Sequence, residues 1–293
     1  NMIIETQAKT LLSHCSKPSM WFGVKYNMNI YRGCEHRCIY CDSRSECYRI
    51  ENFDDIIVKI NAVELLRKEL PQKRKKGTVG TGAMSDPYTP VERKYRLMGQ
   101  ALEVIAGQRF PVHITTKSNL ILRDVDLLQD INRIYASISF TVTTANDELA
   151  AKLEPYAPPP SARLKAMGVL SALGINTGIT MMPILPYIED SMENVLGIVE
   201  KAREYGARYI VPCPGVTLRD RQRAYYYEKL DAIFPGLRQR YEKRYRNSYM
   251  CSSDNAKKLS YAINEACCRY GISTDMPTYE SKLSGIQLSM FDK

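Results

Sequence analysis

Three cysteines at C-x3-C-x2-C, in the stretch Gly33-Cys34-Glu35-His36-Arg37-Cys38-Ile39-Tyr40-Cys41, constrain this chain more than any other feature. A loop this short carries three thiols within one turn of chain. Zinc sites and two-cluster ferredoxins ordinarily add a fourth Cys or His at tight spacing. Here the next cysteine is Cys47, and no second C-x2-C occurs elsewhere. Three thiolates suit three irons of a [4Fe–4S] cube and leave the fourth iron without a protein ligand, open to chemistry. A zinc knuckle, with His36 completing a Cys3His set, or three ordinary thiols are the bland alternatives. His36 would have to fold back between Cys34 and Cys38, which is cramped, so it reads as a loop residue.

At 293 residues the chain can bury a full core as one large domain or one barrel with an extension. No apolar run approaches the roughly 20 residues that span a bilayer, and the N-terminus lacks the apolar stretch of a signal peptide. Nine cysteines, odd in number and unevenly spread, do not read as a disulfide framework. They suggest a reducing, cytoplasmic setting. The net charge of +9 is concentrated in Lys73-Arg74-Lys75-Lys76 and in the stretch from Arg238 to Arg246, which is interleaved with Tyr241 and Tyr245. Such surfaces favour polyanions, because phosphate contacts release condensed counterions. A solvated loop and a solvated helix face are the plain alternatives.

Residues 1–26 lack periodicity and are expected as an extended cap. Asn27 to Arg32 alternates and is expected as a first strand running into the cysteine loop. The spacing of Ile56, Ile57, Ile60, Val63, Leu66 and Leu70 predicts a helix over 54–70, closed by Pro71. Strands are predicted over 77–83, 111–116, 134–143, 175–183 and 209–213, and helices over 93–106, 122–131, 162–173 and 192–205. Six strands alternating with helices imply parallel strands joined by crossovers. The fold class is therefore α/β, a partial (β/α)6 TIM-type barrel over 27–219 with its site in the loops after the strands. Residues 220–278 form a basic, Tyr-rich helical C-terminal region with a helix over 256–270, and 279–293 a tail.

With Tyr40 before Cys41, the cysteine motif resembles that of the radical S-adenosylmethionine (SAM) superfamily. The segments Asn29 to Glu46, Ser85-Asp86-Pro87-Tyr88, Thr116-Lys117-Ser118, Thr141-Val142-Thr143-Thr144, Leu153-Glu154-Pro155 and Pro183-Ile184-Leu185-Pro186 are similar to the spore photoproduct lyase-related branch, often labelled "DNA repair photolyase". The resemblance implies that Cys34, Cys38 and Cys41 bind a [4Fe–4S] cluster and that the open iron chelates SAM. A one-electron reductant such as flavodoxin or ferredoxin would feed the cluster, and the SAM sulfonium would be cleaved to a 5′-deoxyadenosyl radical. SAM contacts are expected from Tyr40, from Ser85 and Asp86 toward the ammonium, and from Thr116, Lys117 and Ser118, where Lys117 meets the carboxylate. Ser139 and Thr141, alternating onto one strand face, and the apolar edge at Pro183 complete the set. Each has a plainer role available: a turn or cap for Ser85-Asp86, an exposed cation for Lys117, strand formers for Ser139 and Thr141. Glu154 with Arg163 reads either as a SAM contact or as a structural ion pair.

One departure from the branch matters. Spore photoproduct lyases carry a hydrogen-donating cysteine just before the serine of the strand-2 loop, and here Met84 precedes Ser85. Tyr88, Cys47 and Cys213 are the substitutes to consider, with Tyr88 and Cys47 taken as the catalytic candidates. The expected partner is DNA or another nucleic acid; the alternatives are a peptide or small-molecule substrate, or a non-catalytic zinc-stabilised nucleic-acid module. Gln287-Leu288-Ser289-Met290-Phe291 resembles the short peptide that docks bacterial repair proteins on the sliding clamp, which makes that clamp a further expected partner.

Overall fold

The structure is a computed structural model that describes residues 2–16 and 21–280. Ahead of the cysteine loop come β1 (Ile3–Thr6), β2 (Leu12–His14), β3 (Val24–Met28) and β4 (Tyr31–Arg32); after it come β5 (Ile56–Lys59), α1 (Ala62–Glu69) and β6 (Thr78–Thr81). Then follow α2 (Glu92–Tyr95), α3 (Leu97–Gly107), β7 (Val112–Thr116), α4 (Val125–Asn132), β8 (Ala136–Thr141), α5 (Asp147–Leu153), α6 (Pro160–Ala172), β9 (Asn176–Met181), α7 (Met192–Glu204) and β10 (Tyr209–Pro212). The C-terminal region contributes β11 (Gly215–Thr217), α8 (Asp220–Ile233), α9 (Leu237–Tyr245), β12 (Met250–Ser252) and α10 (Ala256–Tyr270).

The main sheet has the order β10-β9-β8-β7-β6-β3-β2. Its six strands from β10 to β3 are parallel, and β2 runs antiparallel along the edge. The sheet stays open, a partial barrel of the expected kind. Alternation on β8 sorts its side chains: Ile138 and Phe140 join the apolar layer, while the Ser139 hydroxyl bonds inside the sheet to His113 Nε2 (2.9 Å) and the Tyr209 hydroxyl (2.8 Å). Burial pushes the His113 imidazole down to about 3, so it is neutral.

Several elements differ from the sequence expectation for physical reasons. The helix over 54–70 is half strand, because the β-branched run Ile56-Ile57-Val58 loses rotamers in a helix and packs well on a pleated surface. There β5 finds β1 and β4 as partners, so the supposed N-terminal cap is partly sheet. The strand over 27–32 divides: β3 ends at Met28, and β4 leaves the main sheet to pair with β5. The helix over 93–106 breaks at Arg96, which takes a left-handed conformation (φ 53°). The helix over 256–270 stands as α10 and lies on α7.

Four tyrosines of the C-terminal region are spent on its own core, while Tyr249 and Tyr261 are exposed. Tyr226, Tyr227, Tyr241 and Tyr245 are buried together with Leu230 and Leu237, and Tyr241 donates to the Pro186 carbonyl in the loop after β9. Residues 287–291 lie outside the described residues. Among the described residues no helix is long and apolar enough to cross a membrane.

Gly82 ends β6 with φ +99°, and a Cβ there would stand 2.0 Å from the Thr115 carbonyl oxygen. Only glycine lets β6 turn so close to β7. Gly82→Ala is therefore expected to lower the unfolding free energy by about 2 kcal/mol or more in chemical denaturation; an unchanged midpoint would refute the close approach.

Candidate active site

The loops after the parallel strands enclose a cavity of about 360 Å³, within the roughly 300–1,000 Å³ of small-molecule sites. Cys34, Cys38 and Cys41 all border it as free thiols. Among the described residues no three His, Cys, Asp or Glu side chains close on one point as a single ion requires. All three thiols open instead on the one shared cavity. Burial resists their ionisation; for Cys34 the neighbouring His36 cation outweighs it, leaving that pKa below the ordinary thiol value, whereas Cys38 and Cys41 stand above it.

His36, expected as a plain loop residue, is buried, with Nδ1 3.4 Å from Asp86 Oδ2. Burial works against its protonated form, but Cys34 and Asp86 lift its pKa to about 10. Asp86 lines the cavity, yet its oxygens are fully engaged. Oδ1 accepts from the Thr116 hydroxyl (2.7 Å) and the Tyr88 N–H (2.9 Å), and Oδ2 accepts from the Lys117 N–H (2.7 Å). Burial would raise its pKa, but His36 and these donors hold it at about 2. Asp86 thus positions the loops. Beside it, the Ser85 hydroxyl is buried without a partner and borders the cavity. An orphaned hydroxyl in the wall is what a bound polar ligand would satisfy.

Lys117 also borders the cavity, with Nζ 3.8 Å from Glu154 Oε1 and 5.7 Å from the Tyr40 ring centre. The Tyr40 hydroxyl donates to Glu154 Oε1, and Arg163 donates to Glu154 Oε2, to the Thr141 carbonyl and to the Pro158 carbonyl. Glu154 and Arg163 form a structural ion pair with 1% of each side chain exposed. This network fastens the cysteine loop to the ends of β7 and β8. Thr141 bonds Thr180 across the sheet (3.0 Å), and Pro183 forms part of the apolar edge.

Of the expected residues, Tyr40, Ser85, Asp86, Thr116, Lys117, Thr141 and Pro183 meet at the cavity with the three cysteines. Ser118 does not, because its hydroxyl caps the next turn at the Leu120 N–H. Ser139 stays inside the sheet with His113 and Tyr209. Tyr88 does not border the cavity: it is fully buried in the core, donating to Asp124 (3.1 Å). Cys47 also lies outside the cavity, exposed on a 3-10 turn.

The far wall comes from the chain that follows β10. Cys213, Gly215, Val216, Thr217 and Met250 line it, brought there by β10, β11 and β12. The start of α8 fastens this wall to the cysteine loop. Arg219 pairs with Asp42 (2.7 Å), the Ser45 hydroxyl donates to Asp220 (2.7 Å), and Arg221 donates to the carbonyls of Arg44, Ile50 and Glu51. No sequence spacing links residues 42–51 with 217–221; only the fold does.

Two expectations follow for stability. Glu154→Ala leaves the buried Arg163 without its counter-charge and is expected to cost about 3–5 kcal/mol in denaturation, whereas Glu154→Leu with Arg163→Met is expected to cost less than the single change. Glu189 is fully buried, with Oε2 accepting from the Leu185 N–H and Oε1 without a partner, and burial pushes its carboxyl up to about 8. A raised carboxyl pKa contributes stability fully present below the unfolded value of about 4.3 and lost as pH rises through 8. Glu189→Gln should therefore be more stable than the parent at pH 8 and no more stable at pH 4; identical pH profiles would count against this protonation state.

A profile of the Radical SAM superfamily matches residues 28–199. The uncharacterized protein Rv2578c of Mycobacterium tuberculosis is 28% identical over 280 residues, 91% of this chain and 82% of that protein. The uncharacterized protein MJ0683 of Methanocaldococcus jannaschii is 31% identical over 198 residues, 67% of this chain and 72% of that one. Spore photoproduct lyase, solved in complex with dinucleoside spore photoproduct, superposes with a TM-score of 0.71 over 92% of this chain and 81% of that chain, at 14% identity. The chain belongs to the radical SAM superfamily and is an enzyme that uses a [4Fe–4S] cluster and SAM.

Proposed function

We propose that the enzyme acts on a nucleic acid, abstracting hydrogen from one nucleotide in the course of repair or modification. The observation that carries the site half of this reading is the shared cavity bordered by three free thiols and the orphaned Ser85 hydroxyl. Cys34, Cys38 and Cys41 would hold the cluster, and the chemistry it would supply there is one-electron reductive cleavage of SAM. Ser85 and Lys117 orient SAM, the first through its free hydroxyl and the second as the cation for its carboxylate. Tyr40, Asp86, Thr116 and Thr141 keep those two in place, and Met182-Pro183 offer an apolar surface to the adenine.

The substrate half rests on charge and on where it lies. Lys73–Lys76 precede β6 and so sit at the strand end away from the cavity. Helix α9 sits at the cavity end, since Tyr241 reaches Pro186 and Arg240 lies over the Tyr187 ring (4.2 Å). On it Arg238 and Arg244 are paired with carboxylates, while Arg240 and Lys243, and Arg246 just past its end, are exposed. The lyase whose fold this chain shares was solved with a dinucleoside lesion, which agrees with a nucleic-acid substrate.

The test uses the anaerobically reconstituted enzyme. With a one-electron reductant such as flavodoxin or ferredoxin, SAM is expected to give 5′-deoxyadenosine; none would overturn the site assignment. In fluorescence anisotropy, labelled single- and double-stranded oligonucleotides are expected to bind with an affinity that falls as salt rises. Arg240→Glu with Lys243→Glu is expected to weaken binding about tenfold or more and to flatten that salt dependence. Absent or salt-insensitive binding would overturn the substrate assignment and leave the radical chemistry standing.

A further inference from the structure

A carbon radical left in the cavity after hydrogen abstraction must gain a hydrogen atom before product can leave. Met84 is a thioether and has none to give. Tyr40 and Tyr48 border the cavity too, but the first donates its hydroxyl to Glu154 and the second to Asp42 (2.8 Å). Serine and threonine O–H bonds are too strong to be broken by a carbon radical. Cys213, in contrast, carries an S–H, a bond weaker than most C–H bonds, and it borders the same cavity.

We propose that Cys213 is the hydrogen-atom donor that quenches carbon radicals formed in this cavity. The inference rests on the radical chemistry assigned above. A second feature marks the cavity as a ligand site independently of the thiol: the Ser85 hydroxyl, about nine-tenths buried, borders it without a partner. The backbone of Cys213 is pinned. Its N–H donates to the Met181 carbonyl (3.0 Å), and its own carbonyl accepts from Ile184 (2.9 Å) and Gly215 (2.9 Å). The thiol is thus carried at a fixed place between the end of β9 and the start of β11. Burial raises its pKa, which keeps the sulfur protonated at neutral pH, the only form that can give up a hydrogen atom. Of the three substitutes that the sequence left open, Tyr88 is locked in the core and Cys47 faces solvent, so Cys213 alone reaches the reaction space.

The Cys213 S–H bond breaks homolytically, one C–H bond forms on the radical, and a thiyl radical remains on sulfur. The thiyl takes one electron from the protein reductant that feeds the cluster and one proton from solvent, which restores the thiol.

The reconstituted holoenzyme tests this without a nucleic acid, because the radical made from SAM can itself be quenched in the cavity. In D2O the S–H exchanges to S–D. Wild type is expected to place deuterium in the 5′-deoxyadenosine, counted per molecule formed, and Cys213→Ser and Cys213→Ala to lower that fraction about threefold or more. Cys47→Ser should keep the wild-type fraction. Equal deuterium in wild type and both Cys213 variants would overturn the assignment, while a wild type that forms no 5′-deoxyadenosine would overturn it together with the site reading. A second readout needs no turnover: SAM is expected to slow iodoacetamide labelling of Cys213 several-fold, read by peptide mass spectrometry, and to leave the exposed Cys268 unaffected. Labelling of Cys213 at the same rate with and without SAM would place the thiol outside the SAM-filled space and sink the proposal.

Discussion

One buried carboxylate holds the catalytic end of this protein together. Asp86 accepts from the hydroxyl and backbone of the loop after β7, from its own loop, and from His36 inside the cysteine loop. Three segments far apart in sequence converge on two oxygens. A carboxylate taken out of water is stable only when its lone pairs are met, so the four donors and the charge stand or fall together. The geometry of the cavity follows from that bargain: His36 draws the first cysteine toward β6, and the Lys117 N–H fixes where its side chain departs. Ser85, just before it in the chain, is left in the cavity wall with its hydroxyl unbonded.

The Glu154–Arg163 pair plays the same part on the opposite side, with Tyr40 as its link to the cysteine loop. Both networks are buried and charged, and both join a loop to strand ends rather than strand to strand. The parallel sheet could exist without them. What they specify is the placement of thiols and cation over it, and in that sense they secure a site more than a fold.

Much of the architecture was legible in the sequence because parallel strands and helices write their periods plainly, as α7 and α10 show. The cysteine triplet and the loop residues from Ser85 to Lys117 were legible too, since each follows a strand. What escaped depended on partners that no local pattern records. Ile56–Lys59 reads as part of a helix until β1 and β4 are seen on either side of it. Asp86 reads as a ligand contact until its four donors are counted, and His36 reads as a spare loop residue until Asp86 is placed beside it. Thr217 and Met250 belong to the cavity only because the chain pairs β11 with β12 beyond the main sheet and so closes the wall.

That closure has a consequence for how the enzyme matures. The Ser45–Asp220 hydrogen bond spans 175 residues, and Arg221 reaches back over a similar distance to three carbonyls beyond the cysteine loop. During synthesis these tethers cannot form until α8 has left the ribosome, well after the cysteines have emerged. Until then the thiol-bearing loop is held by its ties to Asp86 and Glu154, without the second set of tethers on its far side. A chain cut before α8 would lack both these tethers and the part of the cavity wall that Met250 supplies.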